Sequence, residues 1–226
     1  MAKTSVSFVC HECGGTHHKW SGRCDYCGSW NTILEEYEEV IKGSRKRATG
    51  RQIEMLPLAL DVNTKPLRRM VTGIAEFDRV SGGGLVPGSA SLIGGDPGIG
   101  KSTLLLQLVC QLAKAGVRTA YISGEESANQ VRMRAKRLGL VEADIEIATA
   151  TNANDIAASI GGDDGPAVIV IDSIQTMFLP TLDSAPGTVS QVRASAQELI
   201  RTAKQHNAAL LIVGHVTKDG AIAGPR

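Results

Sequence analysis

The sequence predicts an α/β protein, a mostly parallel sheet covered by helices, preceded by a small four-cysteine module. Three observations carry that expectation. Short apolar runs alternate with helix-length amphipathic stretches from about residue 90 onward. The first strand-to-helix turn reads Gly95-Asp96-Pro97-Gly98-Ile99-Gly100-Lys101-Ser102, which fits the phosphate-loop pattern G-x-x-x-x-G-K-[ST] at every specified position. Four of the 5 cysteines fall near the amino terminus as two C-x₂-C pairs.

The cysteine module comes first in the chain. Cys10-x₂-Cys13 and Cys24-x₂-Cys27 bring four thiolates within tetrahedral reach of one Zn²⁺, with Gly14-Gly15 and Gly28 supplying tight turns. A disulfide framework is the competing reading. It fits a cytosolic protein poorly, and about 35 residues cannot build a core without a staple. With four cysteines supplied, His11, His17 and His18 are expected to be exposed loop residues. The predicted zinc ribbon occupies residues 1–34. Residues 35–66 read as a linker, acidic over Glu35-Glu36-Tyr37-Glu38-Glu39 and then basic over Lys42 to Arg47. The basic run reads as a solvated tether, with contact to a phosphate backbone as the alternative.

Residues 67–226 form the predicted main domain. Strands are expected near 90–94, 118–123, 144–148, 167–172 and 209–214, and helices near 101–115, 127–139, 152–160 and 188–206. Such alternation implies βαβ crossovers. Val168-Ile169-Val170-Ile171 and Leu210-Leu211-Ile212-Val213 are continuous apolar runs, as central strands buried on both faces require. Only 4% of residues are aromatic, so the core must be aliphatic. A net charge of +1 gives no global electrostatic argument for nucleic acid. No apolar run approaches a membrane span and Met1 to Val9 lacks a signal-peptide core, so a cytoplasmic location is expected.

The phosphate loop points to ATP or GTP. Its glycines let backbone N–H groups turn onto the β- and γ-phosphates, Lys101 adds a charge there, and Ser102 offers a hydroxyl to Mg²⁺. The helix beginning near Gly100 aims its positive end at the same anion. Asp172 closes the run 168–171, where a strand-end acid faces the ligand crevice and can hold Mg²⁺. Glu125 and Glu126 follow the strand ending at Ser123. Glu125 is the favoured group for poising water, Glu126 the alternative, and both also suit the N-terminus of the next helix. His215 ends its strand in the corresponding way, as a γ-phosphate sensor or a structural histidine. Two segments, Thr176 to Gly187 and Val216 to the end, leave the same sheet edge. By themselves they read as ordinary connections, although Phe178, Lys218 and Arg226 have the chemistry to grip a polymer such as DNA. Arg132, Arg134, Lys136 and Arg137 read as a solvated helix face, and Cys110 as a small buried hydrophobe.

Taken together, the four-cysteine ribbon, Thr72 to Val80, Gly82 to Gly88, Gly95 to Thr103, Tyr121 to Ser127, Ile171 to Thr176 and Gly214 to Lys218 resemble the bacterial RadA (Sms) family, whose core is RecA-like. The resemblance covers essentially the whole chain. It implies a DNA-dependent ATPase of the helicase type in recombinational DNA repair. Such an enzyme works beside RecA on single-stranded DNA, branched recombination intermediates and stalled forks, as a homo-hexamer when full length. It further implies ATP, Mg²⁺ and Zn²⁺ as cofactors. Gly95 through Thr103 would cradle the nucleotide, with Lys101, Glu125, Asp172 and His215 as the catalytic set. The loops at 177–187 and 216–226 would line the DNA channel, and the ribbon would contact a partner or DNA. Full-length members continue into a Lys-Asn-Arg-Phe-Gly motif and a Lon-protease-like domain, whereas this sequence stops at Arg226. A fragment of a longer product is therefore expected, with incomplete subunit contacts and an exposed sheet edge near 209–214.

Overall fold

The computed structural model describes residues 5–10, 16–17, 19–26, 28–38, 68–162 and 164–215. They fall into two compact units, divided between Pro66 and Leu67.

In the first unit, β1 (Ser5–Cys10) lies between β2 (Thr16–His17) and β3 (Ile33–Glu38), all antiparallel. The register sets Cys10 opposite Ile33 and Ser5 opposite Glu38, so the last strand runs past Leu34 into the acidic stretch. The described core here is Cys10, Cys24 and Ile33 with Phe8 packed against them. So few apolar side chains cannot hold a fold alone, which is the condition that calls for a metal staple.

The second unit is built on five parallel strands: β4 (Ala90–Gly95), β5 (Thr119–Ser123), β6 (Glu146–Thr149), β7 (Val168–Asp172) and β8 (Ala209–His215). Their order across the sheet is β4-β8-β7-β5-β6. A short α1 (Ala75–Val80) precedes them. Between them come α2 (Lys101–Lys114), α3 (Ala128–Arg137), α4 (Ala153–Ile160) and α5 (Val189–Gln205). Side-chain alternation divides the core into two layers. Val168 and Val170 of β7, with Leu211 and Val213 of β8, pack with Leu105, Leu106, Leu108 and Val109 of α2 and Val131 of α3. Ile169, Ile171, Leu210 and Ile212 face the other way, onto Ile156 and Ile160 of α4 and Val192 and Leu199 of α5. Helices thus cover both faces, and continuous apolar strands are what that arrangement demands.

Strand order corrects one expectation. The strand at 209–215 is not an edge, because β8 pairs with β4 on one side and β7 on the other. Among the described residues the edges are β4 and β6, and Leu92 on β4 is 46% exposed. Apolar content shows that a strand is buried but not who its neighbours are. The helix starts have local causes. Ser127 and Gln130 form a reciprocal capping box for α3, and Asn152 and Thr188 cap α4 and α5 through their side chains. The six-residue α1, unexpected from the sequence, follows a turn fastened by Asp78, whose carboxylate accepts hydrogen bonds from the N–H groups of Thr72 (2.9 Å) and Gly73 (3.1 Å).

Candidate nucleotide site

The turn from β4 into α2 carries the phosphate loop. Gly100 sits at the helix N-cap with φ 103°, a left-handed conformation that leaves the first N–H groups of α2 open to an anion. No atom lies within 4 Å of where a Cβ at Gly98 or Gly100 would be, so the cradle has room for phosphate oxygens. Asp96 and Pro97 form the loop with these glycines, and Ile99 stands 70% exposed at its outer side. Lys101 is buried and its Nζ donates to the carbonyls of Gly95 (2.8 Å) and Asp96 (2.9 Å). Its ammonium is therefore already folded back over the loop. Ser102 and Thr103 occupy the first turn of α2.

The other strand ends converge on the same edge of the sheet. Asp172, the last residue of β7, is 4% exposed, and the Tyr121 hydroxyl donates to its Oδ2. The Asp172–Ser173 peptide bond is cis. Glu125 follows β5; the Ser173 hydroxyl donates to its Oε1, and His215 Nε2 at the end of β8 lies 3.1 Å from the same oxygen. Burial pushes the Glu125 carboxyl upward, but the hydrogen bonds from Ser173 and His215 and the charges of His215 and Lys101 outweigh it and hold the group below the usual range. Glu125 is thus an ionised acceptor facing the phosphate-loop lysine. The Gly124 between strand and carboxylates has no room for a side chain, since a Cβ there would meet Thr176 Oγ1 at 2.1 Å.

Geometry separates the two adjacent glutamates. Glu126 turns away and pairs with Arg134 of α3, while its backbone N–H donates to Ser123 Oγ (2.9 Å). Arg134 is accordingly not part of a solvated face, because its side chain is only 14% exposed. Two supporting residues had no sequence signal of their own. Gln175, on the 3₁₀ turn Ile174–Thr176, donates through Nε2 to the carbonyl of His215 (3.3 Å). Gln191 of α5 is 1% exposed and ties the preceding segment down. It accepts from Leu179 N–H (2.8 Å) and donates to the carbonyls of Leu182 (3.1 Å) and Ser184 (2.9 Å). Phe178 joins Asn152 in a parallel bridge, so the expected polymer-gripping loop starts as a pinned segment. The second expected loop, 216–226 with Lys218 and Arg226, lies outside the described residues.

The donor types suit the expected groups. A hydroxyl at Ser102 and a carboxylate at Asp172 are the hard oxygen ligands Mg²⁺ takes, and the open glycine cradle with a buried ammonium suits a polyphosphate. In the first unit Cys10 and Cys24 are both 1% exposed, while Cys13 and Cys27 lie outside the described residues. Thiols gathered in so small a core suit zinc. His17 differs from its expected exposure: its side chain is 6% exposed, with Nε2 3.3 Å from Cys24 Sγ and Nδ1 3.5 Å from Asp25. In a module this small any side chain beside the cysteines is drawn inward, and the sulfur gives the ring a polar partner. Cys110 is fully buried, and burial raises its thiol pKa. Among the described residues no helix is long and apolar enough to cross a membrane.

Comparison with known proteins agrees with this architecture. The AAA domain profile matches residues 66–221, and the rubredoxin metal binding domain profile matches residues 8–35. The whole chain is similar to proteins named DNA repair protein RadA. It is 52% identical to that of Brucella abortus, 50% to that of Pseudomonas aeruginosa and 44% to that of Bacillus subtilis. In each case the match takes in 100% of this chain and 50% of the relative, so the chain spans about half the length of the curated relatives it matches.

Proposed function

The chain belongs to the AAA-domain family, in its RadA group, and from that premise we propose that it is the ATP-hydrolysing part of a DNA-repair motor. The observation carrying this reading is the convergence of Lys101, Glu125, Asp172 and His215 from four different strand ends, with Glu125 held ionised between His215 and Ser173. In that arrangement the loop N–H groups and Lys101 neutralise the β- and γ-phosphates. Glu125 accepts a hydrogen bond from water and orients it for in-line attack on the γ-phosphorus. The bond from that phosphorus to the β–γ bridging oxygen breaks, and the water proton passes towards Glu125 as ADP and phosphate form. Ser102 and Asp172 would hold Mg²⁺, which would supply positive charge to neutralise the polyphosphate. His215 touches Glu125 and suits a γ-phosphate sensor, since loss of that phosphate changes what its ring can bond.

The relatives' printed name supports DNA repair as the setting. Single-stranded DNA and branched recombination intermediates are the substrates of the proposal. Cooperation with RecA, a homo-hexameric working form, translocation and a cytoplasmic location belong to the same proposal. So do the assignments of residues 1–34 as a Cys10, Cys13, Cys24 and Cys27 zinc ribbon, 35–66 as linker and 67–226 as motor domain. The test is ATP turnover with and without single-stranded DNA, on this chain and on a version extended past Arg226. Stimulation by DNA in the extended protein is expected. Turnover indifferent to DNA in both, with zinc-dependent partner binding retained, would instead mark a nucleotide-switched recruiting module.

A further inference from the structure

Asp172 and the phosphate loop are connected by a residue that belongs to neither motif. Tyr121 lies on β5 and is fully buried. Its register partner on β7 is Val170, two residues short of Asp172, so a long side chain on that face reaches the strand end where a short one would stop. The phenolic O–H donates to Asp172 Oδ2, and the phenolic oxygen lies 3.5 Å from the carbonyl oxygen of Ser102 in the first turn of α2. Oδ1 of Asp172 accepts no hydrogen bond among the described residues.

We infer that Tyr121 is a positioning residue for Mg²⁺. By occupying Oδ2 of Asp172 while packing beside the α2 turn that carries Ser102, it leaves Oδ1 without a protein donor, where it would be available to a metal, and keeps the two segments in register. The inference rests on the proposed roles of Ser102 and Asp172. A phenylalanine would fill the same core volume, so packing does not require the hydroxyl. Carboxylates at a metal site are ordinarily held by such outer partners, whose loss weakens metal binding by about 10–100-fold.

The experiment uses the whole chain with a fluorescent ADP analogue, titrated with Mg²⁺ and, separately, in EDTA. Tyr121→Phe is expected to raise the half-saturating Mg²⁺ concentration roughly tenfold with nucleotide affinity in EDTA unchanged, while loss of the hydrogen bond to the buried Asp172 carboxylate lowers the thermal midpoint by a few degrees. Asp172→Asn should raise it too, and Tyr121→Phe added to Asp172→Asn should then have little further effect, because the two groups act as a unit. An unchanged Mg²⁺ midpoint in Tyr121→Phe, or equal weakening with and without Mg²⁺, overturns the inference by marking the tyrosine as packing alone. If Asp172→Asn itself leaves the Mg²⁺ midpoint in place, the proposed metal site is what has failed.

Discussion

Glu125 and Glu126 are adjacent in sequence and opposite in surroundings, which makes their paired replacement a sharp test. Glu125 is 42% exposed at the side chain and faces His215, Ser173 and Lys101. Glu125→Gln keeps its shape and the oxygen that accepts from Ser173, so the thermal midpoint should fall by no more than about 2–4 °C, as for other exposed pairs. It removes the base, and turnover should fall by about 10²–10⁴. Glu126→Gln should do the reverse. Its side chain is 29% exposed and Arg134 14%, so the neutral amide leaves a largely buried guanidinium unpaired. Fully buried, that loss costs about 3–5 kcal/mol; discounted for residual solvent, about 2 kcal/mol is expected. For a domain of this size that lowers the midpoint by about 4–8 °C, with turnover at saturating ATP and low temperature within about threefold. Differential scanning fluorimetry and a coupled ADP-release assay read the two effects separately. Glu125→Gln turning over above a tenth of wild type, or Glu126→Gln losing turnover at an unshifted midpoint, would refute the assignment.

Three further outcomes are expected. The hydrogen bonds and charge that depress the Glu125 pKa come from Ser173, His215 and Lys101, so His215→Ala should move the acid limb of the turnover profile to higher pH. The sign for stability follows the same depression: what Ser173 adds is present above the ordinary value of 4.5 and is lost as pH falls through the lower folded value. Denaturation of wild type and Ser173→Ala should therefore differ at pH 6 and converge below 4.5. For the ribbon, metal analysis should find one zinc per chain. Chelation should abolish the near-ultraviolet signal of Trp20 and Trp30 without shifting the melting of residues 67–226, and disulfides among the four cysteines in cytosolic protein would contradict it.

The parts legible in the sequence were those fixed by local spacing. The phosphate loop and the cysteine pairs each need particular residues a few positions apart, and the long helices start and stop close to where the pattern places them. Acids at the ends of β5 and β7 were legible because a strand-end carboxylate beside a phosphate loop has few other uses. Tyr121, Ser173, Gln175 and Gln191 were not, because each acts on a group brought near only by strand order. Tyr121 reads as one more apolar position in a buried strand, and Gln191 as a polar residue on an amphipathic helix. Arg134 read as solvated because its neighbours Arg132, Lys136 and Arg137 are exposed, and only the turn at Glu126 shows which of the four points inward. The expected edge at 209–214 failed for the same reason.

Strand order is also what makes the site. The chain leaves β4 through α2, passes over the places later filled by β8 and β7, and lays down β5 and β6. It then reverses through α4 and fills the gap with β7 and β8. Helices laid down in one direction pack on one face and those of the return on the other, which is how the two apolar layers divide. The reversal leaves a crevice at the carboxyl ends of β4, β8, β7 and β5, where an α/β sheet takes its ligand. It also explains how His215 and Glu125, ninety positions apart, come within 3.1 Å. His215 reaches Glu125 only when the last described strand is seated between β4 and β7. Any change that loosens β8 should therefore release the Glu125 contact before it disturbs the phosphate loop, whose Lys101 bonds are made entirely within residues 95–101.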